Sequence, residues 1–210
     1  MVMQEKTTIT QVAEEIYQIK NYLMEDAFSS LCSDVSLKII ESKQNQLLLD
    51  QKIDNENYPE YKNNTSTEST VKVPSMAVGF IDPYKTEFLN KTRENLSLIY
   101  KTLIYPEKDA SVIVFSPGEQ IPTHWDGSED VPTYGGHPYR DYSTVFYLNE
   151  DFEGGILRFT ELNIEIKPEP NMILLFPTTI LYSHCVEVVT SGIRMMSPTF
   201  WCSDKKDRNI

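Results

Sequence analysis

The sequence contains few of the residues on which several common functions depend. Only three histidines and three cysteines occur among 210 residues, and 19 Lys and Arg are outnumbered by 31 Asp and Glu. The net charge of −12 argues against nucleic acid as the main partner, because no basic surplus is available to displace the counterions of a phosphate backbone. Cys32, Cys185 and Cys202 are an odd, scattered set without Cys-X-X-Cys spacing, which predicts free thiols in a reducing compartment.

Long hydrophobic runs are also missing. The first residues, MVMQEKTTIT, lack the apolar core of a signal peptide, and no apolar run reaches the length that crosses a membrane. We therefore expect a soluble, cytoplasmic protein. The 12 Tyr and 9 Phe supply apolar side chains for a substantial core, and the length suits one large domain, residues 1–210.

The first half, residues 1–108, is expected to be mostly helical support. Apolar residues recur at helical spacing in three segments, namely 10–23 with Thr10 as N-cap, about 34–49, and 83–105. Residues 50–70 are polar and almost free of aliphatic side chains, which predicts a surface loop. The segment VKVPSMAVGF predicts a strand between the helices.

The second half, residues 109–203, has the pattern of a β domain. It consists of short apolar or alternating runs such as SVIVFSP, STVFYLN, GILRFT and MILLFP, mostly separated by Pro, Gly, Asn or acidic residues. Many short strands at this spacing indicate a sandwich or barrel. We predict one mainly β domain in which the N-terminal helices pack on this core.

A candidate metal site begins in the segment THWDGSED. On a strand, residues i and i+2 project from the same face, so His124 and Asp126 can bind one ion while Trp125 turns away. His137 lies in the irregular stretch TYGGHPYRDY, whereas His184 lies in the β-type run ILYSHCVEVV, which makes His184 the better third ligand. Two histidines and one carboxylate form the facial triad that leaves positions open on Fe(II).

These residues stand in a longer pattern that resembles a known family. HWD, YSTVFYLNEDFEGGILRF, MILLFP and SHCVEVVTSGIR together are similar to the core of the Fe(II)/2-oxoglutarate dioxygenases, in particular the prolyl hydroxylase branch with its prolyl 4-hydroxylases and oxygen-sensing enzymes. The resemblance covers about residues 111–201. It implies a double-stranded β-helix (jelly-roll) core, Fe(II) as cofactor, 2-oxoglutarate as cosubstrate and O₂ as oxidant.

The resemblance also implies roles for residues around the metal. Arg194, ten residues after His184, would bind the far carboxylate of 2-oxoglutarate through its planar guanidinium. Tyr147 would donate its hydroxyl to the same carboxylate, and Thr144 would line the same pocket. The candidate substrate contacts are Arg140, His137, Phe200 and Trp201. Of the two adjacent aromatics we prefer Phe200, because it shares a strand face with Arg194.

The expected reaction is hydroxylation of an unactivated C–H bond, coupled to decarboxylation of 2-oxoglutarate to succinate and CO₂. The resemblance favours a prolyl residue in a peptide or protein as substrate, with a free amino acid or small natural product as the alternative. A halogenase of the same fold would lack the carboxylate ligand, and a cupin enzyme would have an HxH pair. A β-sandwich binding module without catalysis is a further alternative, which iron retention and 2-oxoglutarate-dependent succinate release would distinguish.

Overall fold

A computed structural model describes residues 7–55, 71–74, 76–79, 84–106, 110–127 and 140–203. Two long helices accompany fourteen strands in this part of the chain. In chain order the elements are β1 (Thr8–Ala13), β2 (Ile16–Lys20), α1 (Glu25–Asn55), β3 (Met76–Gly79), α2 (Tyr84–Tyr100), β4 (Ile104–Pro106), β5 (Ser111–Phe115), β6 (Ile121–His124), β7 (Tyr142–Tyr147), β8 (Phe152–Gly154), β9 (Leu157–Phe159), β10 (Ile164–Ile166), β11 (Met172–Pro177), a 3₁₀ turn (Ile180–Tyr182), β12 (His184–Val186), β13 (Val189–Gly192) and β14 (Arg194–Ser203).

The strands form a large and a small antiparallel sheet. The large sheet has the order β1-β2-β11-β7-β14-β5-β3, with β4 also paired to β14, and the small sheet has the order β10-β9-β12-β6. Strands β8 and β13 form a separate ladder. The prediction of a mainly β fold with supporting helices is therefore confirmed.

Strand alternation divides the interior of the protein into two apolar clusters. In β7, Val145 and Tyr147 belong to an inner cluster that includes residues of the small sheet. Phe146, between them, belongs to an outer cluster with residues of α1 and α2, such as Leu31 and Phe88. The large sheet is thus covered by helices on its outer face and by the small sheet on its inner face. This sidedness decides which side chains of β7 and β14 can reach a site between the sheets.

The helix predicted for residues 10–23 is wrong. This segment forms the hairpin β1–β2, in which Thr10 pairs with Gln18 and is not an N-cap. Glu15 in the turn has a positive φ of 55°. The apolar residues that suggested a helix pack in the sheet instead. β2 pairs with β11, and Ile19 lies opposite Ile173. Pairing with a distant strand has overridden the local pattern.

The other two predicted helices are confirmed with different ends. Helix α1 begins at Glu25 and runs to Asn55, so the first six residues of the predicted 50–70 loop are helical. The remainder of that loop lies outside the described residues. Helix α2 ends at Tyr100, and the last part of its predicted range forms β4. Within the described part of the chain, neither helix combines the length and the apolar character of a membrane span.

Candidate metal and cosubstrate site

Two neighbouring strands of the small sheet bring the three predicted metal ligands together. β6 and β12 are antiparallel, and His124 lies directly opposite His184. Asp126 follows the end of β6 by two residues. One ligand atom from each of the three side chains lies within 4.8 Å of the others. The geometry suits a single ion bound on one side by the protein, with the remaining positions open.

Backbone carbonyls fix the ring orientation of both histidines. His124 Nδ1 lies 2.9 Å from the carbonyl oxygen of Pro122, and His184 Nδ1 lies 3.0 Å from that of Tyr182. Since a carbonyl oxygen can only accept, each Nδ1 must carry the proton and donate it. Each Nε2 faces Asp126, at 3.4 Å from Oδ1 for His124 and 3.7 Å from Oδ2 for His184, and in a neutral ring it is the nitrogen that can bind a metal. Such a bond on the far nitrogen is what orients a histidine ligand in metal sites.

The carboxylate of Asp126 is ionised despite its burial. Burial raises the pKa of Asp126, but hydrogen bonds from His124 and Ser143, together with the positive charge that His184 and His124 carry when protonated, lower it to about 2. Ser143 Oγ donates to Asp126 Oδ2 at 2.6 Å. Burial lowers the pKa of His184, which therefore stays neutral near pH 7. A buried anion beside an imidazole lone pair is an arrangement that a divalent cation can complete.

A second unusual group lies on the inner face of the large sheet. The side chain of Arg194 is fully buried, and its Nε donates to the carbonyl oxygen of Gly155 at 2.9 Å. Within the part of the chain that the structure describes, neither Nη1 nor Nη2 has a hydrogen-bond partner, and the buried hydroxyl of Tyr147 has none either. The guanidinium carbon lies 5.5 Å from the centre of the Tyr147 ring. Buried cations are almost always paired, so these unmatched donors fit an anionic ligand such as the far carboxylate of 2-oxoglutarate.

A cavity of about 240 Å³ opens beside the metal ligands. It is lined by His124, Asp126 and His184, by apolar residues of both sheets, and by Arg140, Ser143 and Phe200. Val145 on β7 and Met196 on β14 line the cavity. Tyr147 lies two residues after Val145, and Arg194 lies two residues before Met196, so both are on the same inner face. The order along the inner face is therefore metal ligands, apolar cavity, buried cation.

Thr144 and Trp201 are joined by a hydrogen bond between neighbouring strands. Thr144 borders the cavity, but its hydroxyl accepts a hydrogen bond from Trp201 Nε1 at 3.0 Å and donates to the carbonyl oxygen of Thr199 at 3.3 Å. Trp201 is fully buried in the outer cluster, on the side of the helices. Strand alternation turns the Trp201 ring to the helical side of the sheet, and the Thr144 hydroxyl is bonded on that side; the cosubstrate role of Thr144 and the substrate contact by Trp201 stay predictions.

Phe200 and Arg140 both line the cavity, as a substrate-contacting pair would. The guanidinium carbon of Arg140 lies 3.5 Å from the centre of the Phe200 ring, a cation–π contact that orders both side chains. The preference for Phe200 over Trp201 thus agrees with the side of the sheet that each occupies. His137 lies outside the described residues.

Ser143 is a site residue that the sequence reasoning missed. The motif STVFYLN directed attention to Thr144, although strand alternation allows only one of two adjacent residues to face the metal. Tyr147 was already placed on the cosubstrate side, and counting back by two along β7 leads to Val145 and Ser143. That count is the signal that could have identified Ser143.

Comparison with known proteins agrees with this site. Residues 110–203 match the model of the 2OG-Fe(II) oxygenase superfamily. Among curated proteins, prolyl 3-hydroxylase 1 of Gallus gallus is 40% identical over 63 residues, which are 28% of this chain and 9% of the relative. Prolyl 3-hydroxylase 2 of Homo sapiens is 38% identical over 79 residues, or 35% of this chain and 11% of the relative. This chain thus matches only about a tenth of the length of these relatives.

Solved structures show the same fold at low sequence identity. The viral collagen prolyl hydroxylase of Paramecium Bursaria Chlorella virus-1, solved as a 2OG complex, superposes with a TM-score of 0.61 at 17% identity, covering 93% of this chain and 100% of that one. A prolyl hydroxylase of Trichoplax adhaerens, in complex with a hypoxia inducible factor peptide fragment, gives 0.58 at 15% identity, covering 91% and 85%. The jelly-roll prediction is confirmed, and residues 110–203 are similar in sequence to the 2OG-Fe(II) oxygenase superfamily.

Proposed function

We propose that this chain is an Fe(II)- and 2-oxoglutarate-dependent dioxygenase that hydroxylates a prolyl residue in a peptide or protein, with release of succinate and CO₂. The observation that carries the proposal is the fully buried Arg194, whose two Nη groups lack partners among the described residues, on the inner sheet face that also leads to the metal ligands. A binding module without catalysis has no use for a desolvated, unpaired guanidinium, which is costly to maintain.

Each group then has a defined role. His124, Asp126 and His184 would hold Fe(II), and Arg194 with the Tyr147 hydroxyl would hold the far carboxylate of 2-oxoglutarate. When bound, the metal and cosubstrate would supply the activation of O₂. The apolar lining, which includes Val145 and Met196, excludes water from the reacting groups. Ser143 keeps the Asp126 carboxylate oriented towards the ion.

The proposed substrate class rests on the relatives and on the cavity. The similar proteins are named as prolyl hydroxylases, and one was solved with a peptide fragment. In this chain, Arg140 and Phe200 add a cationic and an aromatic surface to the cavity beside the metal ligands, where a substrate residue would lie. The location that we propose for the enzyme is the cytoplasm.

The proposal can be tested by mass spectrometry of products. Protein loaded with Fe(II) under anaerobic conditions would be mixed with 2-oxoglutarate and a panel of proline-containing peptides and free amino acids, and then exposed to air. We expect one peptide to gain one oxygen atom on proline, with an equal amount of succinate, and fragmentation to assign C3 or C4. Asp126→Ala is the matched control and should give neither product.

Two other outcomes would redirect the proposal. Oxygen gain by a free amino acid alone would favour the small-molecule alternative. Iron retention without 2-oxoglutarate-dependent succinate release, with every substrate in the panel, would favour the binding module.

A further inference from the structure

The backbone on both sides of Arg194 is held by a single side chain, that of Asn149. Its Oδ1 accepts from the amide of Met195 at 2.8 Å, and its Nδ2 donates to the carbonyl oxygen of Ile193 at 2.6 Å. β7 ends at Tyr147. Beyond the end of β7, the Asn149 side-chain amide therefore forms the hydrogen bonds to β14 that a strand backbone would form. These bonds fix the backbone position of Arg194.

The side chain of Arg194 is held in turn by Gly155. The Gly155 carbonyl oxygen accepts from Arg194 Nε. Gly155 has a φ of +62°, and a Cβ placed there would lie 2.8 Å from Arg194 Cδ and 3.2 Å from both Phe152 Cε2 and Val189 Cγ2. Since real Cβ atoms essentially never approach other heavy atoms below 3.0 Å, Arg194 would have to move to accommodate any other residue at this position.

Asn149 and Gly155 fix the orientation of the Arg194 guanidinium, which its own Nη groups do not fix. Nη1 and Nη2 make no hydrogen bond to the described residues, so among these residues the side chain is bonded through Nε alone. The ring centres of Phe115 and Tyr147, at 4.8 Å and 5.5 Å, surround the cation without fixing its rotation. A bidentate contact with a carboxylate requires that the two Nη groups of the guanidinium point in a fixed direction. In Arg194 this direction is fixed by contacts of its backbone neighbours and of Nε.

We propose that Asn149 and Gly155 are positioning residues of the cosubstrate site, which hold Arg194 so that its two free nitrogens point at a carboxylate. This inference rests on the proposed function of Arg194. It gives a physical role to both ends of the segment from Asn149 to Gly155. Asn149 holds the strand that carries the cation, and Gly155 leaves room for the Arg194 side chain and binds its Nε.

The first test is 2-oxoglutarate binding to Gly155→Ala, measured by calorimetry on anaerobic, Fe(II)-loaded protein. We expect the dissociation constant to rise about tenfold or more, because one of two charge-assisted bonds is lost, while iron affinity is unchanged. Gly118→Ala is the matched control. Its φ of +89° brings the same kind of backbone strain, but its Cβ would meet only Lys72 Cδ at 3.8 Å. Gly118→Ala should therefore bind 2-oxoglutarate like the wild type.

A double-mutant cycle separates positioning from general damage. If Gly155 acts through Arg194, Gly155→Ala should cause no further loss of 2-oxoglutarate affinity in the Arg194→Ala background. The double variant should also unfold at a higher temperature than additivity predicts, because removal of Arg194 Cδ relieves the collision. Additive losses in both measurements would overturn the positioning role.

Asn149→Ala tests the same inference if Gly155→Ala does not fold. It should weaken 2-oxoglutarate binding with iron affinity retained, and the loss should again vanish in the Arg194→Ala background. If Arg194→Ala itself leaves 2-oxoglutarate affinity unchanged, the proposed function of Arg194 fails. If Arg194→Ala weakens binding but Asn149→Ala and Gly155→Ala both bind like the wild type, only the positioning inference fails.

Discussion

Replacement of Arg194 by alanine should selectively impair the use of 2-oxoglutarate. The guanidinium is fully buried, its Nε is bonded to Gly155, and Nη1 and Nη2 have no partner among the residues that the structure describes. A charge-assisted bidentate contact in such a dry pocket contributes about 2–4 kcal/mol. The apparent KM for 2-oxoglutarate should therefore rise about thirtyfold or more in Arg194→Ala.

The assay is succinate release as a function of 2-oxoglutarate concentration, with iron content measured on the same samples. Iron affinity should stay near normal, and Arg194→Lys should rescue partially, because lysine restores the charge but not the planar fork. Arg158→Ala is the control, since Arg158 lies at the surface and contacts Glu165 and Glu187. An unchanged 2-oxoglutarate dependence in Arg194→Ala would refute the reasoning.

Three further predictions follow from the site and its surroundings. Ser143→Ala should lower iron affinity about tenfold or more, because Asp126 loses the hydroxyl that orients it, and a metal titration equal to the wild type would contradict this. Trp201→Phe should lower the free energy of unfolding by about 1–3 kcal/mol in urea titrations without changing the KM for 2-oxoglutarate, and a raised KM would mean that Trp201 reaches the cavity. Burial raises the pKa of Tyr147 to about 12, above its ordinary 10.0, so its contribution to stability is complete below about pH 10 and is lost as the pH rises to about 12. Between about pH 10 and pH 12 the free energy of unfolding of Tyr147→Phe should fall less than that of the wild type. Urea titrations of both proteins at the two pH values would detect the difference.

The site was more predictable from the sequence than the N-terminal fold. His124, Asp126 and His184 could be chosen because strand periodicity places i and i+2 on one face, and because few histidines compete. The structure brings these three side chains together, and their identity as iron ligands stays a prediction until metal is measured. Arg194 was selected as a cation in an otherwise apolar strand, and it is fully buried.

Other features depend on contacts that a single sequence does not display. The hairpin β1–β2 was mistaken for a helix because its strand character comes from pairing with β11, more than 150 residues later. The hydrogen bond from Trp201 to Thr144 was not predictable either, because adjacent strand residues face opposite sides and the sequence does not say which side faces the metal. Once the sidedness of β7 is known, Ser143 and Tyr147 fall on the inner face together.

The most direct test of the central claim is metal analysis of the purified protein after loading with Fe(II). The wild type and His137→Ala should each retain one iron per chain, whereas His124→Ala, Asp126→Ala and His184→Ala should lose both iron and 2-oxoglutarate turnover while remaining folded by circular dichroism. Full iron content and activity in His184→Ala would contradict the account, and loss of iron in His137→Ala would show that the third ligand had been assigned to the wrong histidine.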